Sequence, residues 1–154
     1  MLTLSWTRRV NEDNEPGSPQ VTREQLWRVL VDKAENPVAY VPAITECRVL
    51  ERYPDGILRE AKRGERLLVQ RVTYEPEAGR VVFRHTDATD FAMIADEIGV
   101  DSEGRLTLTL SLTLAEETTE RVMDKDAYLR ALDEDFSATV ESMTRSLARK
   151  AALL

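Results

Sequence analysis

The sequence predicts an α+β domain: a seven-stranded, curved antiparallel sheet wrapped around a long C-terminal helix, with two short helices after the first strand. Three observations predict it. The last stretch, from Asp124 to Leu154, places Leu129, Leu132, Phe136, Val140, Met143, Leu147, Ala151 and Leu154 at steps of three and four, so all share one helical face. The chain from Ile44 to Ala115 breaks into short strands at tight turns, which makes sequential strands antiparallel neighbours. Between the first strand and that run, a capped helix ends at a proline. Helices segregated to one face of an antiparallel sheet define the α+β class.

Leu2, Leu4 and Trp6 alternate with Thr3, Ser5 and Thr7, as in a half-buried strand. Asn11 to Gln20 is polar, contains Pro16, Gly17 and Pro19, and reads as a loop. Thr22-Arg23-Glu24-Gln25 fits a capping box, in which the Thr22 hydroxyl accepts from the Gln25 amide and the Gln25 side chain returns to the Thr22 amide. The helix that follows sets Leu26, Trp27, Leu30, Val31 and Ala34 on one face and stops at Asn36-Pro37, because a residue before proline avoids the helical region. Pro37 to Val41 suits one further turn.

Strands are expected at Thr45 to Tyr53, Ile57 to Lys62, Arg66 to Tyr74, Arg80 to Thr86, Phe91 to Gly99 and Leu106 to Leu114. The Phe91 segment also carries a helical pattern through Ala92, Met93, Ile94 and Ala95. The last strand has Leu at every second position. The C-terminal helix begins with Asp124 and Asp126 and ends with Arg145, Arg149 and Lys150, matching its dipole.

Composition bounds function. The net charge of −7 argues against a nucleic-acid groove or an anionic membrane surface, both of which need basic patches. The opening Met1-Leu2-Thr3-Leu4-Ser5-Trp6 lacks the features of a signal peptide, no apolar run reaches membrane-spanning length, and Cys47 has no partner for a disulfide. A cytoplasmic protein is the expectation. One His and one Cys cannot build a zinc site, no acidic loop has calcium spacing, and no Gly-rich loop precedes a helix to cradle a phosphate. The expectation is therefore no metal and no cofactor.

This order of elements resembles the helix-grip fold of the START and Bet v 1-like (SRPBCC) superfamily, whose members include polyketide cyclases and lipid-transfer proteins. The resemblance covers residues 1–154 as a single START-like domain. Within it, Val21 to Trp27, Lys33 to Pro37, Val41 to Ile44 and Cys47 to Arg52 are similar to the opening half of the AtaL-like family, small START-like proteins named after a member encoded in a fungal secondary-metabolite cluster. That motif builds a helix pair and carries no catalytic residues. What the resemblance implies is an apolar cavity between sheet and helix.

The expected cavity wall comprises Tyr40, Phe83, His85, Met93, Leu108, Leu110, Tyr128, Leu132, Phe136, Val140 and Met143, with the gap centred on Phe136, Val140 and Met143. Met and aromatic positions such as Trp27, Tyr40, Phe83, Met93, Tyr128, Phe136 and Met143 are more often plain core than pocket, and this architecture lets them be both. Tyr40, Tyr74 and Tyr128 bring hydroxyls that could orient a polar ligand end. His85, the sole histidine, reads either as a strand-end residue bonded to a carbonyl or water, or as a general base at the end of the Val81-Phe83-His85 face. Cys47 reads as a small hydrophobe, since Arg48 points to the opposite strand face. The arginines and lysines of the middle strands, among them Arg59, Arg63, Arg66, Arg71 and Arg84, read as a solvated convex face; the functional alternative is that Arg71 or Arg84 turns inward to an anionic ligand.

Three function classes follow. The leading one is a module that binds a small apolar or aromatic molecule, with a homodimer left open. The second is a cofactor-independent cyclase or dehydratase using the same cavity. The third is a protein-interaction domain with no open cavity.

Overall fold

The computed structural model describes residues 2–11, 20–86, 91–116, 118–119 and 126–151. The strands are β1 (Thr3–Arg9), β2 (Ile44–Tyr53), β3 (Gly56–Arg63), β4 (Arg66–Glu75), β5 (Arg80–His85), β6 (Phe91–Val100) and β7 (Leu106–Leu114). The helices are α1 (Arg23–Glu35) and α2 (Asp126–Ala151), with a 3-10 turn at Pro37–Ala39. Asp124, Ala152 and Leu154 lie outside the described residues, as do most of the Asn11-to-Gln20 segment and Asp87 to Asp90.

The seven strands form one sheet in the order β1-β7-β6-β5-β4-β3-β2, antiparallel throughout. Five hairpins account for β2 to β7, and β1 closes the far edge on β7. The first hairpin needs a glycine. A Cβ on Gly56 would stand 1.9 Å from the Val72 carbonyl oxygen, so no side chain fits where β3 meets β4.

The Phe91 segment forms a strand, not a helix, because its backbone pairs on both sides, with β5 and with β7. A bulge between Phe91 and Met93 shifts its alternation. Met93 thereby stands opposite Arg84 and Thr113, on the face away from Phe83, whereas Ile94 stands opposite Phe83 and Leu112. The concave face of β6 is thus Ile94, Asp96 and Ile98, a row whose charged member hides it from a hydropathy reading.

The capping box forms as its residues demand: Thr22 Oγ1 accepts from the Gln25 amide at 3.2 Å, and the Thr22 amide donates to Gln25 Oε1 at 3.0 Å. The buried face of α1 is Leu26, Val29, Leu30, Lys33 and Ala34. Trp27 and Val31, expected inside, are half-buried, because the face is rotated to carry Lys33 inward.

Helix α2 runs unbroken for 26 residues, about 40 Å at 1.5 Å per residue. Its stripe is buried as expected at Leu132, Phe136, Val140, Met143 and Leu147. The stripe divides the core. Leu132, Phe136 and Val140 pack with Trp6, Leu110, Leu112 and Leu114. Met143 and Leu147 pack with α1 through Leu26, Val29 and Leu30, and with Tyr40, Ile57, Val72 and Phe83. One straight helix cannot follow a sheet that curls away from it, and a gap remains between its two footholds. Among the described residues no helix is long and apolar enough to cross a membrane.

Candidate binding site

The gap is a cavity of about 360 Å3 between the concave sheet and α2, within the size range of small-molecule sites. Its apolar wall is Phe136 and Met143 of α2 with Phe83, Phe91, Ile94 and Leu110 of the sheet. Pro37, Val41, Ile44, Ala61 and Leu68 complete the apolar lining. Phe136 stacks on Trp6 at 5.3 Å between centroids and meets Phe91 edge-on at 5.9 Å, which holds the aromatic end of the wall in place.

Of the positions expected to line it, the structure brings together Phe83, His85, Leu110, Phe136 and Met143. It places Tyr40, Met93, Leu108, Tyr128, Leu132 and Val140 elsewhere. Leu108, Leu132 and Val140 lie in the packed core on either side. Val140 is fully buried against the sheet, so the helix residue between Phe136 and Met143 that faces the gap is Thr139. Tyr40 is buried with its hydroxyl donating to Asp32 Oδ2 at 2.5 Å and Lys150 over its ring; burial and the carboxylate push its pKa above the ordinary tyrosine value. The Tyr74 hydroxyl donates to Glu35 Oε2 at 3.4 Å, and burial pushes its pKa to about 12. Tyr128 packs beside the second core cluster. No tyrosine lines the cavity among the described residues.

The other wall is polar, where the family resemblance implies an apolar one. Arg59 on β3, Gln70 on β4 and His85 on β5 are successive register partners, so they make one row across the concave face. Arg59 is 4 % exposed; its Nε donates to Gln70 Oε1 at 2.9 Å and its Nη1 to the Ala34 carbonyl at 2.7 Å. Those bonds turn the Gln70 amide so that Nε2 faces His85 Nε2 at 3.2 Å. In neutral His85 that nitrogen is then the acceptor, and the ring proton sits on Nδ1.

Beside this row, Lys33 Nζ donates to Asp96 Oδ2 at 2.5 Å, and both side chains are buried. Burial lowers the Lys33 pKa and the Asp96 carboxylate opposes the shift. Lys33 and Arg59 both lie over the Phe83 ring, at 5.1 and 4.7 Å from its centroid.

The inward arginine is therefore neither Arg71 nor Arg84. Arg71 points outward, where it pairs with Asp55 at 2.5 Å and stacks on Tyr53 at 4.2 Å, and Arg84 is exposed. Arg59, Arg63 and Arg66, read as convex-face residues, line the cavity instead. The signal that could have found Arg59 is strand parity. In β3 it shares a face with Ile57 and Ala61, both 1 % exposed. Cys47 is half-buried on β2, and burial raises its thiol pKa, which keeps it from being a reactive thiolate.

A curved antiparallel sheet gripping one long helix over a cavity is the architecture of the START and Bet v 1-like helix-grip proteins. The chain belongs to the AtaL family, described as acetylaranotin biosynthesis cluster protein L, whose model matches residues 4–151. Solved structures share the fold at low identity. The di-domain aromatase/cyclase BexL from the BE-7585A biosynthetic pathway aligns with a TM-score of 0.66 and 14% identity over 96% of this chain and 46% of its own. This chain thus spans about half the length of that relative. The Zhui aromatase/cyclase from Streptomyces sp. R1128 aligns at 0.60 and 13% identity over 97% and 93% of the two chains. TTHA0849 from Thermus thermophilus aligns at 0.60 and 16% identity over 99% and 98%. No curated protein matches the chain.

Proposed function

We propose that this protein binds a small, largely apolar or aromatic metabolite in the cavity between the sheet and α2. The observation that carries the reading is the cavity itself. Its long wall is aromatic and aliphatic, it is bounded by rigid elements, and burial of apolar ligand surface there is worth roughly 25 cal/mol per Å². The fold, shared with aromatase/cyclases, is compatible with such a ligand.

The test is a titration with N-phenyl-1-naphthylamine, a neutral apolar dye, followed by its fluorescence. The native protein is expected to bind it. Ala61→Trp, which projects an indole into the gap from β3, is expected to weaken binding by about tenfold or more, and Thr139→Trp does the same from the helix side. Urea unfolding checks that each variant is folded. Equal binding by wild type and both folded variants would place the dye outside the cavity and favour the interaction-domain reading.

A second reading, cofactor-independent cyclase or dehydratase chemistry, is favoured by one observation: the imidazole of His85 lines the cavity, its Nε2 3.2 Å from the Gln70 amide nitrogen. Incubation separates the two readings. A binding protein returns its ligand unchanged, as chromatography shows, and an enzyme does not.

A further inference from the structure

The charges in the cavity wall do not balance. Among the described residues the buried charged side chains are Lys33, Arg59 and Asp96, two cations against one carboxylate. Lys33 takes the carboxylate, at 2.5 Å. Arg59 has no ion pair among the described residues; Gln70 and the Ala34 carbonyl, both neutral, accept from two of its nitrogens. Its third nitrogen, Nη2, has no hydrogen-bond partner among the described residues. The remaining charged residues at the cavity, Arg63 and Arg66, are also cationic, and no described Asp or Glu lines it. This stands in a chain whose net charge is −7, so the cationic wall is local and not a reflection of composition.

Burying a guanidinium is costly, and the nearby Asp96 carboxylate offsets only part of that cost because it is bonded to Lys33 and not to Arg59. The Phe83 ring face offsets part of that cost. A ligand oxygen anion would remove the rest and make charge-assisted hydrogen bonds to Nη2.

We propose that the ligand is an amphipathic organic acid, whose carboxylate is held by Arg59 while its apolar body lies along Phe83, Leu110, Phe136 and Met143. This rests on the cavity-binding reading above and adds the class of ligand. Gln70 accepts from Nε and so fixes the plane of the guanidinium.

The test compares 2-naphthoic acid, ionised at neutral pH, with 2-naphthamide, its neutral isostere, by calorimetric titration of the wild-type protein. The acid is expected to bind about tenfold or more tightly than the amide. In Arg59→Met the preference is expected to fall to within about twofold while the amide still binds. Equal affinity for acid and amide in the wild type overturns the inference and leaves the cavity reading standing. Binding of neither overturns both. The wild-type pair tests the ligand class without any variant, and an undiminished preference for the acid in Arg59→Met, or in Arg59→Gln should the first not fold, overturns the role of Arg59 in favour of Arg63 or Arg66.

Discussion

Asp96→Asn is expected to destabilise the protein by about 3–5 kcal/mol, because it leaves two buried cations with no counter-ion. In the native protein, Asp96 is fully buried behind the cavity wall and receives Lys33 at 2.5 Å, while its Oδ1 has no hydrogen-bond partner among the described residues. Asn keeps the shape and removes the charge. Lys33→Met is expected to cost less. It leaves one buried cation, Arg59, and one buried carboxylate, so the net buried charge among the described residues falls to zero. The double variant Lys33→Met/Asp96→Leu restores the native surplus of a single cation and is expected to recover most of the loss.

The pH dependence follows from the Lys33 shift. Burial sets its folded pKa below the unfolded value, so between the two the unfolded state binds more protons and stability rises with pH. Without the opposing carboxylate the shift grows, and Asp96→Asn is expected to regain stability on the alkaline side more steeply than wild type. Urea unfolding across that range checks both statements. A loss below about 1 kcal/mol at neutral pH would mean that Asp96 does not carry the charge balance of the wall.

Phe136→Ala is expected to cost about 3–5 kcal/mol. The ring is 3 % exposed, stacks on Trp6 and meets Phe91 edge-on, and it joins the β1–β7 side of the core to the cavity. Removing it opens a void that merges with space already empty, so little can collapse to fill it. The same urea series measures the cost. A change under about 1 kcal/mol would show that α2 and β1 repack without the ring.

Much of the fold is legible in the sequence because its determinants are local. The Thr22 box, the Pro37 stop, the turns at Asp55-Gly56 and Gly79, the leucine row of β7 and the three-and-four stripe of α2 each lie within a few residues. The site was legible only where its residues are apolar or unique in type, as with Phe83, Leu110, Phe136, Met143 and His85. Arg59 and Asp96 were missed for a physical reason. A charged residue reads as solvent-facing until strand register shows which face it shares, and the Arg59–Gln70–His85 row exists only through pairing across three strands. Lys33 was hidden in the same way on α1, where its partner is 63 residues away. The tyrosines erred in the other direction. The Tyr40 and Tyr74 hydroxyls are taken by Asp32 and Glu35, carboxylates of α1, a choice that depends on where that helix docks.

The central claim is that the space between the sheet and α2 is a binding site. The most direct measurement is an NMR titration with 2-naphthamide, following backbone amides and methyl groups of the intact chain. The account predicts saturable shifts confined to residues bordering the gap, with Ala61, Leu68, Leu110, Ile94 and Met143 most affected and the outward Arg71 and Arg84 unmoved. Shifts concentrated on the convex face, or none at ligand saturation of the solution, would contradict it.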